Sequence, residues 1–459
     1  MTRRSRTLIT IAIAAVLFLG GWAVGGLASP GTSAGTPQAA SPSSSGLTSN
    51  GDAGADCGEG EKGLTHAFPS GSSWRMCWHI DPQQGLTLSR VAYTAPGKAE
   101  VKVIEEMSLS QLEVPYDSGA RVTKDITEHG FGGRSMKTLG PAECAGRRLS
   151  ATIPDFGNGA VGGSETREVL CSQEVDAGLA RRSDYYQEAP VAQRGRAFEL
   201  STLSVVGWYE YLSLYSFGED GSISPRLGAT GDLSPEDYTR DPKLGSPVGP
   251  GNGEGATSHS HNAVWRIHWG LSGPQTVREY NADFTGKRGA ASAIVEGSFT
   301  PLGTETERLR QDRRWWQVLG AQANPDGHQM SYRIQLDQSD GYTPHSHGDH
   351  AGQGGPGEGD AGFGYDVAFT QYKDCERFAT QNLSTGCPSS GVPQFVNSEK
   401  LSDVVSWVVV SYHHVPRDED QSPMDMHWQG FSLQPRDLFS QNPLAPSDRA
   451  TLNGRPATR

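Results

Sequence analysis

The strongest constraint on this chain is its punctuation. From about Leu64 onward, short runs rich in Val, Tyr, Trp, Phe and Thr recur between clusters of Gly, Pro, Asp and Asn. Such runs read as strands, because β-branched and aromatic side chains suit a pleated, half-buried surface, and the breakers between them turn the chain. Long stretches with a 3.6-residue apolar period are scarce, and no repeat appears at a fixed spacing. Between residues 203 and 217, Leu203, Val205, Tyr209, Tyr211, Tyr215 and Phe217 are read as one face of a strand, with Asp220-Gly221 turning the chain before Ile223. The run from Val404 to Tyr412 is too continuously apolar for an exposed edge. The expectation is an all-β chain, one large loop-rich domain with few helices.

The ends differ from this middle. Arg3, Arg4 and Arg6 precede an apolar run from Leu8 to Ala28. That pattern makes residues 1–28 an export signal, and the run is also long enough to anchor the chain in a membrane through residues 8–28. The Arg3-Arg4 pair resembles a twin-arginine signal. Residues 29–63 are read as a flexible linker, since their Ser, Gly, Pro, Thr and Ala bury too little surface to offset ordering entropy. The stretch from Gly348 to Gly364, nearly all small or acidic, is read as a surface loop or insert, and residues 446–459 as a tail. A formal charge of -13 argues against a nucleic-acid partner, which would need a basic stripe. Six cysteines fit an oxidising compartment outside the cytoplasm. Many pairings are open, and sequence neighbours suggest Cys57–Cys77, Cys144–Cys171 and Cys375–Cys387. None lies in a CxxC, so a thiolate zinc site is not expected.

Three groups of histidines bear on metal binding. His259-Ser260-His261 precedes the apolar run Ala263-Val264-Trp265-Arg266-Ile267. Residues two apart on a strand point the same way, so both imidazoles can reach one ion, and a third nitrogen would complete a copper or zinc site. Alone, the pair is more often a solvated polar feature of a strand end than a ligand set. His345, His347 and His350 lie in a Gly-rich loop with no apolar support for a coordination geometry, and are read as adventitious binders or no site. His413 and His414 follow the 404–412 run. Adjacent strand residues face opposite ways, so one at most joins His259 and His261, and the pattern does not say which.

Several segments together resemble the copper amine oxidases, the quinone-containing primary amine oxidases. Tyr412-His413-His414-Val415-Pro416-Arg417-Asp418-Glu419-Asp420 is similar to that family's H-[IV]-P-R-x-E-D signature, and Gly430-Phe431-Ser432-Leu433-Gln434-Pro435-Arg436 follows at its spacing. Val206-Gly207-Trp208-Tyr209-Glu210-Tyr211 resembles V-G-N-Y-[DE]-Y, followed by Ala229-Thr230-Gly231. Glu113-Val114-Pro115-Tyr116 resembles a V-P-Y segment, and Asp125-Ile126-Thr127-Glu128-His129-Gly130-Phe131-Gly132 resembles D-x-G-E-x-G-L-G.

The resemblance covers roughly residues 64–445 as a catalytic domain alone, and implies a large antiparallel β-sandwich, or supersandwich. It implies Cu(II) held by His259, His261 and His414, which selects His414 over His413. It further implies Tyr209 as precursor of topaquinone, Asp125 as catalytic base, Tyr116 as hydrogen-bond partner of the quinone, a Cys144–Cys171 disulfide and a homodimer. The implied activity is oxidative deamination of a primary amine with O2, giving aldehyde, ammonia and hydrogen peroxide. An exported copper-binding homologue that forms no quinone is the alternative. Three departures stand out. Trp208 replaces the asparagine before the precursor tyrosine. The stretch 117–124 is shorter than the pattern. At the positions of a structural calcium site stand His268, Trp269 and Gly270, with Asp403 retained, so no calcium is expected.

Overall fold

A computed structural model of the chain describes residues 57–157, 165–184, 191–250, 253–286, 293–337, 339–343, 364–382, 385–387 and 391–445, with the backbone of 451–452 and 455–456. Six strands position the site: β1 (Val101–Pro115), β2 (Val191–Val206), β3 (Tyr209–Gly218), β4 (His259–Trp269), β5 (Val404–His414) and β6 (Met424–Arg436). They belong to two large antiparallel sheets. One, of nine strands, runs Lys62–Ala67, Ser73–Asp81, Gly85–Thr94, β1, β4, β5, Val367–Gln371 and Thr306–Arg308, with Val122–Lys124 paired to the end of β1. The other has ten strands and contains the run β6, Ile223–Gly231, β3, β2. The expected all-β class with large antiparallel sheets is what the chain adopts.

The two sheets face each other across one buried layer. Ala263, Trp265, Ile267 and Trp269 enter it from β4, and Val404, Val408 and Val410 from β5. Tyr209, Tyr211, Tyr215 and Phe217 enter from β3, and Phe431 and Leu433 from β6. Trp265 meets Phe431 edge-on across the layer, with ring centres 5.5 Å apart. The unbroken apolar run of β5 has a physical reason: its alternate residues Val405, Trp407 and Val409 fill a second buried cluster with Val264, Tyr365 and Phe395. A strand covered on both faces has no side to leave polar.

The 203–217 stretch is corrected by the structure. It is two strands, not one. Gly207, at φ +61°, and Trp208 form a two-residue turn that pairs Val206 with Tyr209 and Ser204 with Tyr211. Glycine at the first central position is what such a hairpin turn favours. The four aromatic residues of β3 share the buried face as expected, but Leu203 and Val205 stand on the opposite face, because Ser204 and Val206 are the residues opposite the inward tyrosines. Gly231 explains the neighbouring Ala229-Thr230-Gly231 segment. Its φ is +102°, and a Cβ there would lie 2.8 Å from the Trp208 carbonyl oxygen.

All three disulfides join the sequence neighbours: Cys57–Cys77, Cys144–Cys171 and Cys375–Cys387. Cys57 of the first, and the opening residues Lys62 and Gly63 of the strand Lys62–Ala67, fall inside what the sequence assigns to the linker 29–63, so the end of that stretch is tied to the sheet. The leader 1–28, most of the linker, and His345, His347 and His350 lie outside the described residues. Among the described residues no helix is long and apolar enough to cross a membrane. At the positions compared with a calcium site, His268 Nε2 lies 2.7 Å from Asp403 Oδ1, and the ring stacks on Tyr372 at 4.0 Å.

Because Trp265 bridges the two sheets, Trp265→Ala should cost about 3–5 kcal/mol of stability, read from the urea unfolding midpoint. A loss under 1 kcal/mol would show that the layer does not depend on this contact.

Candidate active site

The site forms where the buried layer reaches the ends of β4 and β5. On β4, His259 and His261 continue the inward row of Ala263, Trp265 and Ile267, so both imidazoles turn toward the other sheet. On β5 the inward row is Val408, Val410, Tyr412 and His414. The ladder sets His259 opposite His414 and His261 opposite Tyr412, while Tyr116 bridges to His259 from the other side. His414 is buried. His413 faces outward, 3.0 Å from Asp117 through its Nε2, with its backbone N–H donating to Asp340. The parity of β5 therefore decides between the two adjacent histidines.

From the opposing sheet, Tyr209 brings its hydroxyl to 2.7 Å from His259 Nε2 and 3.2 Å from His414 Nδ1. Tyr211, two residues on, lies 3.4 Å from His261 Nδ1. The remaining nitrogens are held from outside: His259 Nδ1 donates to the Thr257 carbonyl at 3.1 Å, and His414 Nε2 donates to Asp420 at 2.9 Å. These contacts orient the lone pairs of His259 Nε2 and His414 Nδ1 toward the tyrosine hydroxyl. His261 Nε2 is buried with no hydrogen-bond partner.

Desolvation keeps the imidazoles neutral. Burial first, then the neighbouring histidines, pushes His259 down to about 3 and His261 well below its ordinary value. Burial also lowers His414, partly opposed by Asp420. Neutral imidazole is the form that ligates a metal. One nitrogen from each of His259, His261 and His414 lies within 4.8 Å of the others. This donor set, with an unsatisfied buried nitrogen among it, fits copper or zinc.

Asp125 arrives by a tight hairpin. Val122–Lys124 pairs with the end of β1, Tyr116 N–H donates to the Arg121 carbonyl at 3.0 Å, and the short helix α1 (Asp125–Glu128) follows directly. The short 117–124 stretch is this turn. Asp125 is 3% exposed, and burial pushes its carboxyl up to about 7, with hydrogen bonds to Thr123 and Tyr211 opposing the rise. The Tyr116 ring stacks on His259 with centres 4.6 Å apart, and its hydroxyl pKa is raised, chiefly by burial and then by Asp237. Trp208 is 43% exposed at the β2–β3 turn.

The predicted residues thus divide into two groups. His259, His261, His414, Tyr209 and Tyr116 stand in one contact network; Asp125 joins it through Tyr211, which touches both Asp125 and His261. Sequence reasoning assigned no role to Tyr211, Thr257, Asp420 or His427. Tyr211 and Asp420 lay inside the quoted segments, and their two-residue and six-residue distances from Tyr209 and His414 were the available signal. His427 had none, since only the pairing of β6 brings it near.

Known proteins similar to this chain are copper amine oxidases. The model of the copper amine oxidase enzyme domain matches residues 71–452. A diamine oxidase [copper-containing] of Nicotiana tabacum is 26% identical over 408 residues, covering 81% of this chain and 49% of that protein. A primary amine oxidase of Arthrobacter sp. (strain P1) is 26% identical over 421 residues, covering 84% and 62%. The chain therefore spans about half to three-fifths of these relatives. Among solved structures, a copper-containing benzylamine oxidase from Hansenula polymorpha superposes with TM-score 0.66 at 21% identity, covering 81% of this chain and 60% of that one. An amine oxidase of Aspergillus nidulans gives 0.67 at 18%, covering 81% and 52%. With five-sixths of its length inside the family model, the chain belongs to the copper amine oxidase family.

Proposed function

We propose that the chain is an exported primary-amine oxidase that uses copper and a quinone made from Tyr209. The reaction consumes a primary amine, O2 and water, and releases an aldehyde, ammonia and hydrogen peroxide. One observation carries the reading: the Tyr209 hydroxyl stands in hydrogen-bond contact with two of three converging, neutral imidazoles in a water-excluded layer. His259 and His414 would hold copper through the nitrogens that now meet Tyr209, with His261 as third ligand. When bound, copper with O2 supplies the oxidising chemistry that turns a phenol ring into a quinone, an electrophile toward amines.

The chain's own residues do the rest. Thr257 and Asp420 fix the ring orientations of His259 and His414. Asp125 takes a proton from the carbon bearing the amine nitrogen. Its desolvated carboxyl, poised near 7, is a stronger base than an exposed aspartate, which a carbon acid requires. Tyr211, in contact with Asp125 and His261, holds these two parts of the site in register. Tyr116 lies against His259, the imidazole that meets the Tyr209 hydroxyl. Three disulfides accord with an oxidising compartment. A homodimer is proposed on the family resemblance.

Trp208 favours a second reading. It stands where the family has an asparagine, and a chain that cannot orient its ring would bind copper without forming a quinone. Purified protein loaded with Cu(II) in air should turn pink and react with phenylhydrazine. Tyr209→Phe should keep copper and lose the colour, and His414→Ala should lose both. A copper-replete, colourless wild type would leave the binding-only reading.

Asp125 sets the pH behaviour. A base must be deprotonated, so kcat/KM should rise with pH through an ionisation near 7, and Asp125→Asn should lower it roughly 10²–10⁴-fold. A profile flat from pH 5 to 9 would remove Asp125 from this role. Stability runs the other way. Since the folded value lies above the ordinary aspartate value of 3.8, the unfolded chain gives up this proton first, and the wild type loses stability as pH rises from about 4 to 7. Asp125→Asn should therefore resist urea better than wild type at pH 8, with the difference gone by pH 4.

A further inference from the structure

His414 faces two groups of possible ligands. Its Nδ1 meets Tyr209 on the His259 side, and its Nε2 meets Asp420, whose carboxylate is shared. Asp420 Oδ2 accepts from His414 Nε2 and from the Arg417 backbone N–H, each at 2.9 Å; Oδ1 lies 3.4 Å from His427 Nε2 and 3.4 Å from Arg417 Nε. His427 sits on β6 opposite Ala229, its ring 4.5 Å from that of His414 and 4.9 Å from that of Tyr412. One ligand atom from each of His414, Asp420 and His427 lies within 4.8 Å of the others.

Packing alone does not account for His427. Its Nδ1 is buried with no hydrogen-bond partner, which costs free energy that an apolar residue there would avoid. Two imidazoles and one carboxylate are a donor set suited to Zn(II) or Cu(II). His427 forms the outer edge of the set: its side chain is 10% exposed and Arg417 beside it 55%, against 1% for both His414 and Asp420.

We propose that His427, Asp420 and His414 Nε2 form a second, outer metal site, at which a divalent transition metal ion docks before reaching the buried histidines. A neutral imidazole carries one proton, so His414 offers one nitrogen at a time. With the proton on Nδ1, donated to the Tyr209 hydroxyl, Nε2 ligates the ion beside Asp420 and His427. Loss of the Nδ1 proton to water and gain of one at Nε2, where the N–H donates a hydrogen bond to Asp420, frees Nδ1 toward His259 and His261. The ion and the ring proton thus change places on one imidazole, and no proton is gained or lost overall. Arg417, which contacts the same carboxylate, competes with the ion.

The test separates this site from the inner one. The full chain, stripped of metal, carries His259→Ala with His261→Ala, and is titrated with Zn(II) and with Cu(II). One equivalent should bind; adding His427→Asn should weaken it about tenfold or more, and Arg417→Ala should tighten it. No uptake by the double variant, or uptake indifferent to His427→Asn, overturns the proposal. Should the double variant not fold, the otherwise wild-type chain gives the answer. His427→Asn should slow Cu(II) uptake at least severalfold while leaving the final copper content near one per chain, and an unchanged rate overturns the proposal. A wild type that never colours, beside a double variant whose metal binding depends on His427, would remove the oxidase reading and leave this one standing.

Discussion

The structure depends on the antiparallel ladder between β4 and β5 at the centre of the nine-stranded sheet. Both strands are covered on both faces along most of their length, by the layer between the sheets on one side and the Val264–Tyr365–Trp407 cluster on the other. A ladder so enclosed cannot slip by one residue without turning every valine and tryptophan to the wrong side. That rigidity fixes His259 opposite His414. Two residues distant in the chain become neighbours whose rings are 5.0 Å apart, and the inward parity of each strand aims them at the same point.

Dryness is the second consequence of the same layer. Excluding water lowers the proton affinity of His259 and His261 and raises that of Asp125, because each charged form loses its hydration without a full replacement. The opposite directions are compatible with the proposed oxidase: imidazoles stay neutral and able to ligate, and the Asp125 carboxyl becomes a stronger base than an exposed aspartate. Contacts from outside the layer, the Thr257 carbonyl and the Asp420 carboxylate, supply the directional part that desolvation lacks.

Departures from the family pattern are absorbed locally. The short 117–124 stretch closes as a hairpin turn, braced by the pairing of Asp117 with the outward His413, and still delivers Asp125 to a buried position. His268 and Asp403 pair with each other at positions where the resemblance places a family calcium site that this chain is expected to lack, so a side-chain contact joins β4 to the start of β5 there. Trp208 occupies a turn position, where its backbone carbonyl accepts from Asp232 N–H at 3.0 Å and its ring is partly in solvent.

Strand content, the buried nature of 404–412, the pairing of neighbouring cysteines and the HxH pair were legible in the sequence, since each is a local property: periodicity, apolar density, spacing. The motif resemblance added the choice of His414 and the roles expected of Tyr209, Tyr116 and Asp125. The Gly207-Trp208 turn is hidden in the sequence, because Leu203, Val205, Tyr209 and Tyr211 alternate as if on one strand, and only pairing shows that the chain reverses and that the buried parity changes at the turn. Asp125 among Lys124, Thr127 and Glu128 looks solvated, and its burial comes from the hairpin and sheet above it. His427 is silent in the sequence, for its neighbours are set by the register of β6. Sequence by itself determined which residues can lie on a dry face. The tertiary structure decided which faces meet, because parity and register are fixed only when two sheets close on one another.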